Sequence, residues 1–330
     1  MIGEVYEETD ADIGVQWTQF ATEMPSGSTQ SVYGWTEMLP KPREWVGPRV
    51  VVEAAPLTYT VVNRPYEHTL GVDRFLLDDD HLGILYRQIP DQVRQVRRLP
   101  DYWLRDLIES LGIFGSGQPG NPQNGFDGLS YFNTAHPIDP YVPTTTTYSN
   151  DFTGGGAAVA GGVPGGSGAN ITVGGAFGVT PFATLYEYML RMLGEDLEPL
   201  GVIPDTIMVP VTLKTEVELV LASTFFAPPS WATIGASTAQ VGAADNPFKR
   251  FGISNILVNP YLTSGTKWYL MDTKRAIKPM MWQVREPAVF TQRVNEQDPV
   301  VFDTHRYLYG VWGRVAPAWG YSFLMTRSGP

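Results

Sequence analysis

Four histidines, His68, His81, His136 and His305, are the side chains of this sequence suited to moving protons near neutral pH or to binding a metal. His81 follows Asp78, Asp79 and Asp80, so the four together could hold a cation. His136 precedes Pro137 and has Asp127 close in sequence, which would suit a general base. Both groups also have a plainer reading. Three aspartates ahead of an apolar periodic run make an N-cap and a negative first helical turn, and a histidine beside a proline is a turn residue. No two histidines stand at the His-x-x-x-His or His-x-His spacing of a metal site. Acidic pairs such as Glu195/Asp196 and Glu216/Glu218 are of the kind that faces solvent on helices. No Gly-x-Ser-x-Gly, zinc-protease or paired-carboxylate signature occurs. Trp268, Tyr269, Tyr307, Tyr309 and Trp312 could form a sugar platform, but alternation along strands places them in a core or an interface. The plainer readings prevail, and no catalytic site, cofactor or metal is expected.

Composition narrows the classes further. With 330 residues the chain can form one large domain or two smaller ones. It has no cysteine, which excludes disulfides, thiolate metal sites and cysteine nucleophiles. Only 17% of residues are charged while 12% are aromatic. Large contact surfaces would explain this, because interface cores are poor in charge and rich in aromatics; a β-rich protein with a big core would look the same. The 23 basic and 34 acidic residues give a net charge of −11. A dedicated nucleic-acid binder would show a basic excess, so only weak attraction to DNA is expected, even from a protein that encloses it. No run approaches the roughly eighteen apolar residues of a membrane span. The stretch Met1 to Asp10 is acidic and lacks a basic-then-apolar signal pattern.

The elements that would position these side chains fall in a clear order. Residues 1–29 look like a polar arm. Residues 30–72 are extended and rich in aromatic, proline and β-branched residues. Pro40, Pro42, Pro48, Pro56 and Pro65 argue against helix and against central strands there. Leu57–Val62 and Tyr66–Phe75 are the strand candidates. Such an arm has too little local sequence for a core of its own and must bury its apolar side chains elsewhere, most naturally on a second copy of the chain. The predicted contacts are Trp35, Arg43, Trp45, Val50, Val52, Tyr59 and Arg64.

The apolar spacing from Leu82 to Leu111 predicts a long helix between Asp78 and Phe114, divided at Pro90 and Pro100 into pieces on one axis. Arg87, Arg94, Arg98 and Arg105 share one stripe of it. That stripe is either a solvated face paired with local carboxylates or a contact to another subunit or to DNA. Gly125–Pro137 reads as a turn with inward aromatics, and Thr144–Gly175 as a Gly-rich exposed loop without a phosphate-binding pattern. Thr180 with Pro181 predicts a helix start, and a second helix is expected over Thr212–Ser223. Buried strands are expected at Ile203–Pro210 and Ile253–Asn259. Further strands are expected at Lys267–Met271, Ala276–Glu286, Val300–Val315 and Tyr321–Met325. The sum is an α+β protein.

Several segments, in order, resemble the Mu-type phage major head subunit family, a branch of the capsid proteins sharing the Hong Kong 97 phage fold. They are Arg43 to Gly47, Tyr59 to Asn63, Val72 to Arg74, Asp78 to Gly83, Phe126 to Leu129 with Phe132 and His136-Pro137, Asn246-Pro247, Ile256 to Pro260, Trp268 to Leu270, and Tyr309 to Arg314. The resemblance implies a Hong Kong 97-like fold with an N-terminal arm (1–29) and an extended loop (30–72). A peripheral domain with a long spine helix and a Gly-rich insertion would cover 73–179, an axial domain 180–266, and C-terminal strands returning to the peripheral domain 267–330. It implies a major capsid protein of a tailed bacteriophage, not an enzyme. Its pentamers and hexamers would close an icosahedral shell around double-stranded DNA, without specific DNA binding or a membrane. A portal would be a partner, as would a separate scaffold or decoration protein where one is used. Assembly would take place in the bacterial cytoplasm, and the product would be the virion. Lys41 is the one lysine of the extended loop, so the Lys–Asn crosslink of some relatives is not expected. The alternatives are an encapsulin-like nanocompartment shell, a tail-tube subunit, and a carbohydrate-binding or hydrolytic protein.

Overall fold

The computed structural model describes residues 14–35, 44, 57–79, 94–109, 124–138, 147–153, 157–158, 172–173, 175–194, 198–223, 225–226 and 244–330. Its helices are α1 (Trp17–Phe20), α2 (Arg74–Asp78), α3 (Leu99–Glu109), α4 (Val179–Leu190), α5 (Lys214–Leu221) and α6 (Pro299–Thr304). The main strands are β1 (Ala21–Pro25), β2 (Gln30–Trp35), β3 (Leu57–Val62), β4 (Arg64–Asp73), β5 (Asp151–Thr153) and β6 (Thr206–Pro210). They continue with β7 (Asn255–Asn259), β8 (Trp268–Met271), β9 (Met280–Arg293), β10 (Arg306–Trp319) and β11 (Met325–Gly329). The chain divides into two compact units, one of residues 1–34, 58–123 and 280–319, the other of 35–57, 124–279 and 320–330.

The first unit is organised by the antiparallel pair β9 and β10, each 14 residues and so about 45 Å long. β1 runs parallel to the start of β9, from Ala21 beside Met280 to Pro25 beside Val284. β4 covers the far edge of β10, antiparallel, from Asp73 beside Arg306 to Arg64 beside Val315. The polar arm expected up to residue 29 therefore contains a strand of the central sheet: Phe20 and Ala21 are buried, and burial holds the segment down. Met280–Gln283 and Val315–Trp319 are buried, whereas β9 beyond Val284 is half-buried to exposed and the start of β10 is only partly covered. The register slips on both sides of Glu286, next to Pro287, which has no N–H to give to the ladder.

α3 packs on β10 through a face that includes Trp103, Leu104, Leu107 and Ile108. Helical bonding runs through residue 98, because the Arg98 N–H donates to the Arg94 carbonyl and the Tyr102 N–H to that of Arg98. Pro100 is the second residue of α3, a position that tolerates a missing N–H. The expected helix is thus described over 94–109, with a separate short α2 ahead of it; residues 80–93 and 110–114 lie outside the described residues. The strand expected over Val300–Val315 begins instead as α6. Asp298 accepts the Val300 N–H as its cap, Pro299 follows, and His305 ends it in the left-handed region at φ 51°. Capping chemistry overrides the β-branched run there.

The second unit holds a five-stranded sheet in the order β7-β6-β8-β11-β5. β6 and β8 are buried at every position, the pattern of strands covered on both faces. Their cover includes Phe182, Leu185 and Met189 of α4 and Val217 and Val220 of α5, in one cluster with Ile207, Val209, Trp268 and Leu270. α4 starts at Val179, one residue before the expected cap, and Pro181 sits in its first turn. The segment expected as a strand from Tyr321 opens as a 3-10 turn, Ser322–Leu324, and β11 starts at Met325. A Cβ on Gly320 would overlap the Lys278 carbonyl, so only glycine allows the close approach at this bend.

Candidate functional site

The histidine best placed for chemistry is locked. His136 and Asp127 are both buried, with Nδ1 2.5 Å from Asp127 Oδ2. His136 Nε2 lies 2.9 Å from the Tyr131 carbonyl and 3.2 Å from Asn150 Oδ1. Asn150 is itself fixed: its Nδ2 donates to the carbonyls of Tyr131 and Ser322, and its Oδ1 accepts the Asn133 N–H. The imidazole stacks on Tyr148, whose hydroxyl pairs with Ser322 Oγ. Both ring nitrogens are engaged and the ring is fully buried, so His136 ties Asp127 to Asn150 as a clamp. Beside it Arg327 binds Asp151 through two bonds of 3.2 and 2.5 Å and lies 4.4 Å over the Phe132 ring. His68 and His305 are exposed, the latter as the end of α6. His81 lies outside the described residues. Among the described residues no group of three His, Cys, Asp or Glu could hold a metal ion. Trp268 and Tyr269 are fully buried, which removes them as a sugar platform, while Trp312 is 41% exposed.

The geometry that stands out instead is the root of the extended region. β2 and β3 pair as a two-stranded ribbon. Below them Gln283 of β9, fully buried, donates from Nε2 to Asn63 Oδ1 at 2.7 Å and accepts the Tyr33 hydroxyl at 2.6 Å. Asn63 Nδ2 donates to Ser26 Oγ and to the Ser28 carbonyl, and its N–H to the Thr29 carbonyl. Both ends of the ribbon are thereby fastened to the sheet. Burial pushes the Tyr33 phenol above its ordinary value, partly offset by its bond to Ser31.

Of the seven residues expected at a contact between copies, Arg43, Trp45, Val50 and Val52 lie outside the described residues, and Trp35 closes β2. Tyr59 is 7% exposed and its hydroxyl accepts the Trp319 N–H, so this ring packs within its own unit. Burial holds its phenol far above the ordinary range. Arg64 opens β4, half-buried. In the arginine stripe Arg87 lies outside the described residues; Arg94, Arg98 and Arg105 are half-buried, and Arg105 Nε is 2.6 Å from the buried Asp106. Burial raises the Asp106 carboxyl, and the Arg105 charge works against that rise. No local pattern signalled a cavity of about 660 Å³ in the first unit, walled in part by Trp17, Tyr66, Trp103, Trp282 and Trp312. Its residues come from five separate stretches, so only the tertiary fold assembles it.

The family model of the Mu-like prophage major head subunit gpT matches residues 1–160 and 243–328. The chain belongs to this family. Among curated relatives, the major capsid protein of Escherichia phage Mu is 30% identical over 139 residues, 42% of this chain and 43% of that protein. The major head subunit of the Mu-like prophage FluMu of Haemophilus influenzae is 25% identical over 147 residues, 44% of this chain and 45% of that one. The match spans less than half the length of either relative. Among solved structures, the procapsid of bacteriophage JBD30 superposes with a TM-score of 0.50 at 23% identity, over 99% of this chain and 72% of that chain. The Microbacterium phage Oxtober96 structure does so with a TM-score of 0.53 at 9% identity, over 96% and 91%. This chain thus has an α+β, Hong Kong 97-like capsid fold.

Proposed function

We propose that this chain is the major capsid protein of a tailed phage, a structural subunit rather than an enzyme. Its copies assemble as pentamers and hexamers into an icosahedral shell around double-stranded DNA in the virion, built in the host cytoplasm. Membership of the head subunit family, with matches at both ends of the chain, carries this reading. Residues 1–29 act as the arm, 30–72 as the extended loop, 73–179 and 267–330 as the peripheral domain, and 180–266 as the axial domain. A portal and, where used, scaffold or decoration proteins are its partners.

The loop lies across a neighbouring copy and contacts it through Trp35, Arg43, Trp45, Val50 and Val52, with Arg64 near its base. The spine stripe Arg87, Arg94, Arg98 and Arg105 adds charge at the same kind of boundary. The fastened β2/β3 root supports this reading, because a loop held at both ends loses less freedom on docking. Burying roughly 1,000 Å² of apolar surface gives a gross gain near 25 kcal/mol at about 25 cal/mol/Å². Ordering and lost subunit freedom offset most of it. Electron microscopy of the purified protein tests the reading: closed polyhedral shells, or rings of five and six, are expected. Deleting residues 36–56 should leave a soluble protein that forms none. Normal shells from that deletion would overturn the role of the loop, and a monodisperse small oligomer from the full chain would overturn the capsid reading.

A further inference from the structure

We propose that the aromatic cavity of the first unit receives the Leu39–Arg43 segment of a second copy. This rests on the reading that the extended loop crosses a neighbour, and it names the place where the loop docks. Aromatic rings are prominent in its walls: Trp17 and Trp282 centroids are 6.2 Å apart, and those of Trp103 and Trp282 5.7 Å apart. Tyr66 packs against Trp103, its phenol pushed up to about 12 by burial despite the nearby Arg64 charge. Trp312 flanks these rings and is 41% exposed. Among the polar lining residues are the exposed carboxylates Glu23 and Glu67, with Arg97 and His68 also present.

Those features specify an occupant. Aromatic grooves take proline rings in an extended, left-handed conformation that loses little entropy on docking. Indole and phenol faces attract cations, and carboxylates at the rim add to that attraction. The chain carries one matching stretch, Leu39-Pro40-Lys41-Pro42-Arg43, in which prolines and cations alternate, followed by Glu44, whose charge complements Arg97. It lies in the loop whose two ends are fastened at Tyr33 and Asn63. In a closed shell each cavity would meet one such segment, so the sites are filled without a further component.

The absence of cysteine makes the test clean. A chain carrying Pro40→Cys and Trp312→Cys, assembled under reducing conditions and then oxidised, should give a ladder of linked chains on a denaturing gel. Crosslinking confined to single chains would mean that the loop fills its own cavity, and would overturn the proposal. Intact shells without any crosslink would overturn it as well while leaving the capsid reading standing. Failure of the unmodified chain to form shells would instead remove the reading beneath it. As a second measurement, Glu23→Lys with Glu67→Lys should cut shell yield about tenfold, as should Lys41→Glu with Arg43→Glu. Combining all four should restore the yield to within about threefold. Because these side chains are charged and Glu23 and Glu67 are exposed, unchanged thermal melting is expected of the unassembled variants. Additive losses with no rescue would count against the contact.

Discussion

Arg327 illustrates how one side chain closes the second unit. Its guanidinium forks onto Asp151, lies over Phe132, and sits on β11 beside β5. Removing one partner of a half-sequestered pair leaves the other without its charge, so Arg327→Ala should cost about 3 kcal/mol, read as a lower urea midpoint of the unassembled chain. The Asp151 carboxyl is pushed up by burial, but Arg327 and the Thr153 donors outweigh that and hold it below the usual aspartate value. A depressed folded value contributes stability that is full above the unfolded value of about 3.9 and is lost as pH falls through the folded one. Acid unfolding followed by tryptophan fluorescence should therefore steepen below about pH 4. Asp151→Asn should flatten that part of the curve, and an unchanged profile would place the acid sensitivity elsewhere.

At the scale of elements, the decisive piece is the fastening of the β2/β3 ribbon. Gln283 answers two partners from a fully buried position, Asn63 and Tyr33, in a sheet otherwise filled with Met280, Met281 and Trp282. Gln283→Leu keeps the volume but strands both partners, at a cost of about 2 kcal/mol. Because the ribbon carries the loop, shell yield should fall further than the urea midpoint alone accounts for. Equal loss in both would mean that the trio serves only the fold. The sequence pattern located β3 of the ribbon and the helix around Leu104, since burial on one face imposes a repeat, but it did not single out β2 as a strand. It placed the strand at Val300 wrongly, because an aspartate cap with a following proline nucleates a turn of helix whatever the β propensity of the next residues.

For the whole molecule, the charge of −11 sets the relation to the proposed contents. Few phosphates can be neutralised, so little counterion is released on contact. Fluorescence polarisation with a duplex at about 150 mM salt should show no saturable binding below roughly 100 μM of unassembled protein. Tight, salt-sensitive binding would point to a nucleic-acid-reading surface that the net charge conceals.

Residue order by itself determined the α+β class, the absence of thiol chemistry, the strand over Leu57–Val62 and the resemblance to the head subunit family. These follow from composition, from local period and from short motifs, which need no knowledge of distant contacts. Only the tertiary structure decided that residues 21–25 complete the sheet and that Tyr59 is spent within its own unit. It also showed that His136 is clamped between Asp127 and Asn150, and that five aromatic rings from separate stretches wall one cavity. Each of these depends on pairing residues far apart in the chain, and such a pairing leaves no local pattern to read.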